Sequence, residues 1–162
     1  MDNLNTPNDI HRSGTLQISG YASIFNRRDL SGDIVRRGAF CAGLLQTSTT
    51  ALPMLFGHET KEPIGVWERI FEDQTGLFVS GKLFVGDGRT ERIARLIRSH
   101  ALSGLSIGYR PVRVRRTKLG RELLEIDLWE VSIVAFPMLR AARITQIDDA
   151  CNETETSRRS TM

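Results

Sequence analysis

Along most of the chain hydrophobic side chains alternate with polar ones, the two-residue period of strands half buried against a core. Leu16 and Ile18 begin that pattern and lead into Gly20-Tyr21-Ala22, which predicts a first strand. Segments 64–71 (IGVWERIF) and 77–85 (LFVSGKLFV) predict two more, joined by the turn-forming run Glu72-Asp73-Gln74-Thr75-Gly76. In the second of these, Leu77, Val79, Leu83 and Val85 share one parity, interrupted by Gly81. Further strands are predicted over 105–110, 112–116 and 123–136, the last divided by a bend or bulge. Residues 27–33 (RRDLSGD) form a turn-rich loop after the first strand.

Two segments leave the two-residue period. A short helix is predicted to begin at Gly38-Ala39-Phe40 and run through Leu44 and Leu45. A second spans about 87–99, with Asp87 as N-cap and Ile93, Leu96 and Ile97, then Ala101, at helical spacing; Ser103-Gly104 ends it. Many short strands with two helices predict a mainly β fold with flanking helices, a β-rich α+β barrel or sandwich. Residues 1–14 and 148–162 hold too little apolar side chain to offset the entropy of ordering. They are expected to be a polar leader and a disordered tail around one domain over 15–147.

Composition narrows the class without supplying a chemistry. The 162 residues are 40% hydrophobic and 25% charged, as in an ordinary globular domain. Apolar runs fall short of a bilayer span, and the first residues lack the apolar stretch of a secretory signal. Cys41 and Cys151 are too few for a disulfide framework and sit in no metal-ligand spacing, so a reducing compartment is expected. The net charge of +3 is small, although Arg89, Arg92, Arg95, Arg98, Arg110, Arg113, Arg115, Arg116 and Lys118 crowd one stretch. Such a run forms either a basic surface or the solvated faces of a helix and a strand.

Three polar residues sit in apolar company that burial alone does not explain. His58 ends the apolar run Leu52-Pro53-Met54-Leu55-Phe56-Gly57, where a scaffold could fix a side chain that titrates near neutrality. His11 in the polar leader and His100 at a helix end are weaker candidates for a base. Ser106, in Gly104-Leu105-Ser106-Ile107-Gly108-Tyr109, alternates with bulky neighbours and shares its face with two glycines, which leaves an approach for a substrate backbone. Glu130 lies in Leu128-Trp129-Glu130-Val131-Ser132-Ile133-Val134, apolar on both faces, where an ionised carboxylate needs a partner. That partner is either an imidazole or one of the many arginines. Nucleophile, base and orienting carboxylate are the parts of a serine hydrolase triad, whose chain order is free. No Gly-x-Ser-x-Gly elbow surrounds Ser106 or Ser103, which counts against an α/β-hydrolase.

The same segments, in order, resemble the prohead protease family of tailed phages, serine peptidases that mature capsids. The resemblance covers about 16–144: Gly20-Tyr21-Ala22-Ser23-Ile24-Phe25, then Asp29, Gly32-Asp33 and Arg37-Gly38-Ala39-Phe40. It continues through His58 with Pro63-Ile64-Gly65, the Ser106 segment, and the Glu130 strand before Phe136-Pro137. The family is related to the herpesvirus maturation proteases (assemblins), which implies a closed β-barrel flanked by helices. Those relatives use Ser with two His; the resemblance here implies a triad of Ser106, His58 and Glu130, and favours Ser106 over Ser103. Asp127 is the rival acid. After Phe136-Pro137 this chain carries Met138-Leu139-Arg140-Ala141-Ala142-Arg143 where the family often has a small, Asn-containing segment. The relatives place oxyanion-stabilising arginines in this region; nothing in the sequence chooses between Arg140 and Arg143.

The resemblance implies an endopeptidase acting on the scaffolding segment of the major capsid protein, and on itself, inside procapsids in the bacterial host cytoplasm. It implies no cofactor, metal or membrane, and leaves a homodimer open. Two other readings fit the same chain: an inactive capsid assembly factor with the same fold, or a nucleic-acid-binding module using the Arg-rich stretch. The second lacks interleaved aromatics, Tyr109 being alone there.

Overall fold

The computed structural model describes residues 14–86 and 88–149. Its elements, in order, are β1 (Gly14–Ile24), β2 (Asp33–Val35), α1 (Cys41–Gln46), a single 3-10 turn (Thr49–Ala51), β3 (Pro53–Phe56), β4 (Gly65–Glu72), β5 (Gly76–Val85), α2 (Gly88–Arg98), β6 (Gly104–Thr117), β7 (Gly120–Val134) and β8 (Arg143–Asp149). The strands pair in the cycle β7-β3-β4-β5-β1-β8-β6 and back to β7, a closed barrel of seven strands. The ring is narrowest between β6 and β8, which pair only at Gly104 and Arg143, so the far half of β6 is held by β7 alone among the described residues. β6 occupies one edge of β7 along its length, so β2 and β3 share the other edge, both parallel to it. β2 pairs at 121–123 and β3 at 131–133. Between them the Ile126 amide donates to Ala39 O at 2.8 Å, and α1 covers the gap.

The alternation read from the sequence produces the core. Leu16, Ile18, Leu77, Val79, Leu83, Leu105, Leu123, Val131 and Ile133 point inward around Trp67, which is fully buried and donates its indole N–H to Val131 O at 3.3 Å. Gly81 interrupts the β5 stripe because it lies opposite Trp67; a Cβ there would come within 2.9 Å of the indole Cε3.

Several expectations need correction. Segments 105–110 and 112–116 form one strand, β6. Pro111 is accommodated because the register slips between Pro111 and Arg113, where a missing N–H is tolerated. The buried stripe of α2 is Thr90, Ile93, Ala94 and Ile97, whereas Leu96 and Ala101 face outward. Trp129, in a strand expected to be apolar and buried on both faces, is 57% exposed because a register slip opposite Gly108 and Tyr109 makes it an extra residue in β7. β8 takes in Asp148 and Asp149, paired with Gln17 and Leu16, so the strand runs past 147. The expected Asp87 cap, His11, Cys151 and the rest of both tails lie outside the described residues.

Among the described residues, five of the nine basic residues in the Arg-rich stretch are ion-paired. Arg89 meets Glu62 and Arg98 meets Asp149, while on β6 Arg110, Arg113 and Arg115 meet Asp127, Glu125 and Glu122 of β7. Cross-strand pairing of opposite charges makes this face mixed in sign rather than basic. Among the described residues no helix is long and apolar enough to cross a membrane.

Candidate active site

Three adjacent strands, β3, β7 and β6, carry the polar residues singled out above. β3 runs parallel to β7 as far as Phe56, opposite Ile133, and the Gly57 amide then donates to Ile133 O at 3.0 Å. The chain turns at once: Gly57 and His58 have φ of 60° and 63°, and Glu59 N–H closes the turn on Phe56 O at 3.1 Å. Glycine enters this left-handed region freely, but a residue with a Cβ pays roughly 1–2 kcal/mol. The turn therefore needs fixing from outside. The His58 amide donates to Ser132 Oγ at 3.1 Å, and the imidazole Nδ1 lies 2.6 Å from Glu130 Oε1. Ser132 in turn donates its hydroxyl proton to the other carboxylate oxygen, Oε2, at 2.6 Å. Glu130 and Ser132 are buried, whereas the His58 side chain is about half exposed. With Glu130 ionised, its carboxylate only accepts, which places the ring proton on Nδ1 and leaves Nε2 as the acceptor nitrogen.

Ser106 lies opposite Ser132 in the β6–β7 ladder, two residues from Gly108, which lies opposite Glu130. It is 8% exposed, and among the described residues its hydroxyl makes no hydrogen bond. Ser106 and His58 line one cleft of about 200 Å³, with Ile24, Val35, Ile107 and Leu139 as apolar wall. Asp29 and Asp33 make the polar side. That side is stiff. Asp29 Oδ1 accepts from the Ser31 amide and hydroxyl and the Asp33 amide, at 2.7–2.9 Å. Buried Asp33 takes both arms of the Arg121 guanidinium and the Tyr109 hydroxyl. Burial, and then the neighbouring Asp33 carboxylate, push the Tyr109 phenol well above its ordinary pKa, so it stays a neutral donor.

The two glycines beside Ser106 do something other than expected. A Cβ on Gly104 would come within 2.8 Å of Pro137 Cδ, and one on Gly108 within 2.8 Å of Glu130 Cγ and 2.9 Å of Cδ. Their missing side chains make room for the protein's own Pro137 and Glu130, not for a substrate backbone. Gly108→Ala is accordingly expected to push the carboxylate away from His58. Loss of the downfield imidazole Nδ1–H resonance would report it, with a stability loss of about 1–3 kcal/mol.

The competing candidates lie elsewhere. Asp127 accepts from Arg110 and from the Trp129 indole, each at 3.1 Å. Ser103 accepts from Arg143 Nη1 at 3.3 Å, and Arg143 Nε bonds Arg140 O, so Arg143 is engaged outside the cleft lining. His100 is exposed beyond the end of α2. No arginine bonds Glu130 among the described residues; its oxygens go to His58 and Ser132. Sequence reasoning passed over Ser132. The signal was its place two residues after Glu130, on the same strand face.

Comparison with known proteins agrees with this architecture. Residues 3–157 match the model of the family described as Caudovirus prohead serine protease. The prohead protease of Enterobacteria phage HK97 is 35% identical over 129 residues, which are 77% of this chain and 57% of that protein. The prohead protease of Escherichia phage T5 is 26% identical over 129 residues, 78% of this chain and 60% of that protein. The chain thus spans less than two thirds of the length of either relative. Among solved structures, the bacteriophage T4 capsid assembly protease aligns with a TM-score of 0.61 at 15% identity, over 75% of this chain and 82% of its own. The KSHV protease, in complex with a hexapeptide phosphonate inhibitor, aligns with a TM-score of 0.56 at 16% identity, over 80% of this chain and 64% of its own. At such identities the likeness concerns the fold, and it is the closed, helix-flanked barrel of the herpesvirus-protease type that the sequence led us to expect. With a family match running through nearly every residue, and a barrel of the same type, the chain belongs to the Caudovirus prohead serine protease family.

Proposed function

We propose that the chain is a serine endopeptidase of procapsid maturation, with Ser106 as nucleophile, His58 as general base and Glu130 as the carboxylate that orients the imidazole. The observation that carries this reading is the 2.6 Å contact between His58 Nδ1 and Glu130 Oε1, beside a cleft that His58 shares with Ser106. With Nδ1 held by the carboxylate, Nε2 takes the proton of Ser106 as its oxygen attacks the scissile carbonyl. The imidazolium formed is stabilised by Glu130, and it returns the proton to the leaving amine. Water, activated by the same nitrogen, then releases the acyl group and regenerates the Ser106 hydroxyl. Glutamate can fill a place that herpesvirus relatives give to histidine, because the role asks only for an acceptor at Nδ1.

The substrates under this reading are the scaffolding segment of the major capsid protein and the protease itself, met inside the procapsid in the host cell. The family and the relatives' descriptions as prohead and capsid assembly proteases support it. Confinement in a shell raises the effective concentration of substrate, so weak binding in the cleft suffices. The mixed charge of the Arg-rich face weighs against a nucleic-acid-binding role.

Co-expression with the cognate major capsid protein tests the proposal. Wild type and Ser103→Ala are expected to shorten the capsid protein, Ser106→Ala to leave it full length, and Glu130→Gln to slow shortening severely. No shortening by wild type would leave an inactive assembly factor as the better account. Shortening that persists in Ser106→Ala would remove Ser106 as the nucleophile.

A further inference from the structure

A glutamate is an awkward orienting group. Its side chain has three torsions, and the last is soft, so one hydrogen bond to an imidazole does not fix the carboxylate. Gly108 offers no side chain to hold it from the opposite strand. The second oxygen supplies the missing constraint. Ser132 is fully buried, lies on the rung of the ladder that carries Ser106, and donates to Glu130 Oε2 at 2.6 Å. A hydroxyl has one proton and two lone pairs, so that donation fixes its hydrogen and leaves a lone pair for the His58 amide, at 3.1 Å. That amide belongs to the left-handed residue whose backbone most needs an anchor.

Resting on the reading of His58 and Glu130 given above, we propose that Ser132 is a positioning residue for catalysis. One hydroxyl clamps the carboxylate by the oxygen that His58 does not use and pins the turn that carries the imidazole. The base and its orienting group are thereby held from a single atom. Ser132 itself touches no substrate; it is buried beneath the pair.

The test uses the full chain, a peptide spanning the boundary mapped by capsid-protein shortening, and proton NMR of protein labelled with nitrogen-15 histidine. Ser132→Ala is expected to lower kcat about 10- to 100-fold, as loss of a supporting hydrogen-bond partner does, with KM within about twofold of wild type. The Nδ1–H resonance of His58 should shift or broaden by exchange. Ser132→Cys, which is slightly larger but keeps a weak S–H donor, should fall between the two and serves if the alanine variant does not fold. In a Glu130→Gln background, Ser132→Ala should cost less than about twofold more, because the group it positions is already lost. A wild-type kcat with an unmoved resonance in Ser132→Ala would overturn the proposal. So would a rate loss that adds in full to that of Glu130→Gln. If wild type cleaves nothing but the resonance still moves in Ser132→Ala, the peptidase reading fails and the clamp stands.

Discussion

Ser106→Ala is expected to lower kcat/KM for a capsid-derived peptide by about 10⁴-fold or more, while leaving the free energy of unfolding within about 0.5 kcal/mol of wild type. Both halves follow from one observation. The Ser106 hydroxyl makes no hydrogen bond among the described residues, so removing it breaks no bond the fold uses. The backbone at Ser106 remains paired with Ser132 between β6 and β7, and alanine fits where serine did. What disappears is the only atom able to form the acyl-enzyme under the proposed mechanism. Peptide cleavage and urea denaturation, measured on the same preparations, separate the two effects. Equal losses in both would mean that Ser106 matters to the fold rather than to the chemistry.

The second large effect concerns stability. Trp67→Ala is expected to cost about 3–5 kcal/mol, against a total of roughly 5–15 kcal/mol for a domain of this kind. Trp67 is the largest fully buried side chain, and its indole N–H bonds Val131 O across the barrel. Its neighbour Gly81 has no side chain that could swing in to fill the space. The loss would be read from the urea midpoint at unchanged slope. A loss below about 1 kcal/mol would show that the barrel wall collapses into the cavity.

Much of this architecture was legible because burial and period are local signals. Leu77, Val79, Leu83 and Val85 announced β5 and its inward face, and the run at 72–76 announced the turn before it. The signals failed where a distant partner decides. Residues 105–110 and 112–116 read as two strands, yet β7 holds them in one β6 through bulges around Pro111 that no local pattern reveals. The Glu130 strand read as buried on both faces, yet a slipped pairing turns Trp129 out. Leu96 lies at helical spacing, but the face of α2 that meets the barrel includes Thr90 and Ala94 instead.

The candidate site divides in the same way. His58, Ser106 and Glu130 drew attention as polar residues without a local reason for their surroundings. The structure brings His58 against Glu130 and puts His58 and Ser106 on one cleft. The left-handed backbone of His58 was not legible, since a positive φ at a residue with a Cβ is imposed by contacts with β7 rather than by neighbours in sequence. The glycines of β6 were read as open space, when Glu130 and Pro137 already occupy their faces. Both occupants arrive from across the sheet. Ser132 was hidden by its ordinariness: a serine in an apolar strand becomes notable only once its two partners are known.

The parallel pairing of β3 with β7 also has a meaning in time. A ribosome makes His58 first, then Ser106, and only later the strand bearing Glu130 and Ser132. The contact between His58 and Glu130 closes 72 residues of sequence, and among the described residues the strand that pairs with β3 at its His58 end is β7. A nascent chain that has passed Ser106 therefore owns a base with nothing to orient it and a turn with nothing to anchor it. Under the proposed mechanism the growing polypeptide is silent as a protease until the barrel's own wall switches it on, which keeps cleavage out of synthesis and reserves it for the folded domain.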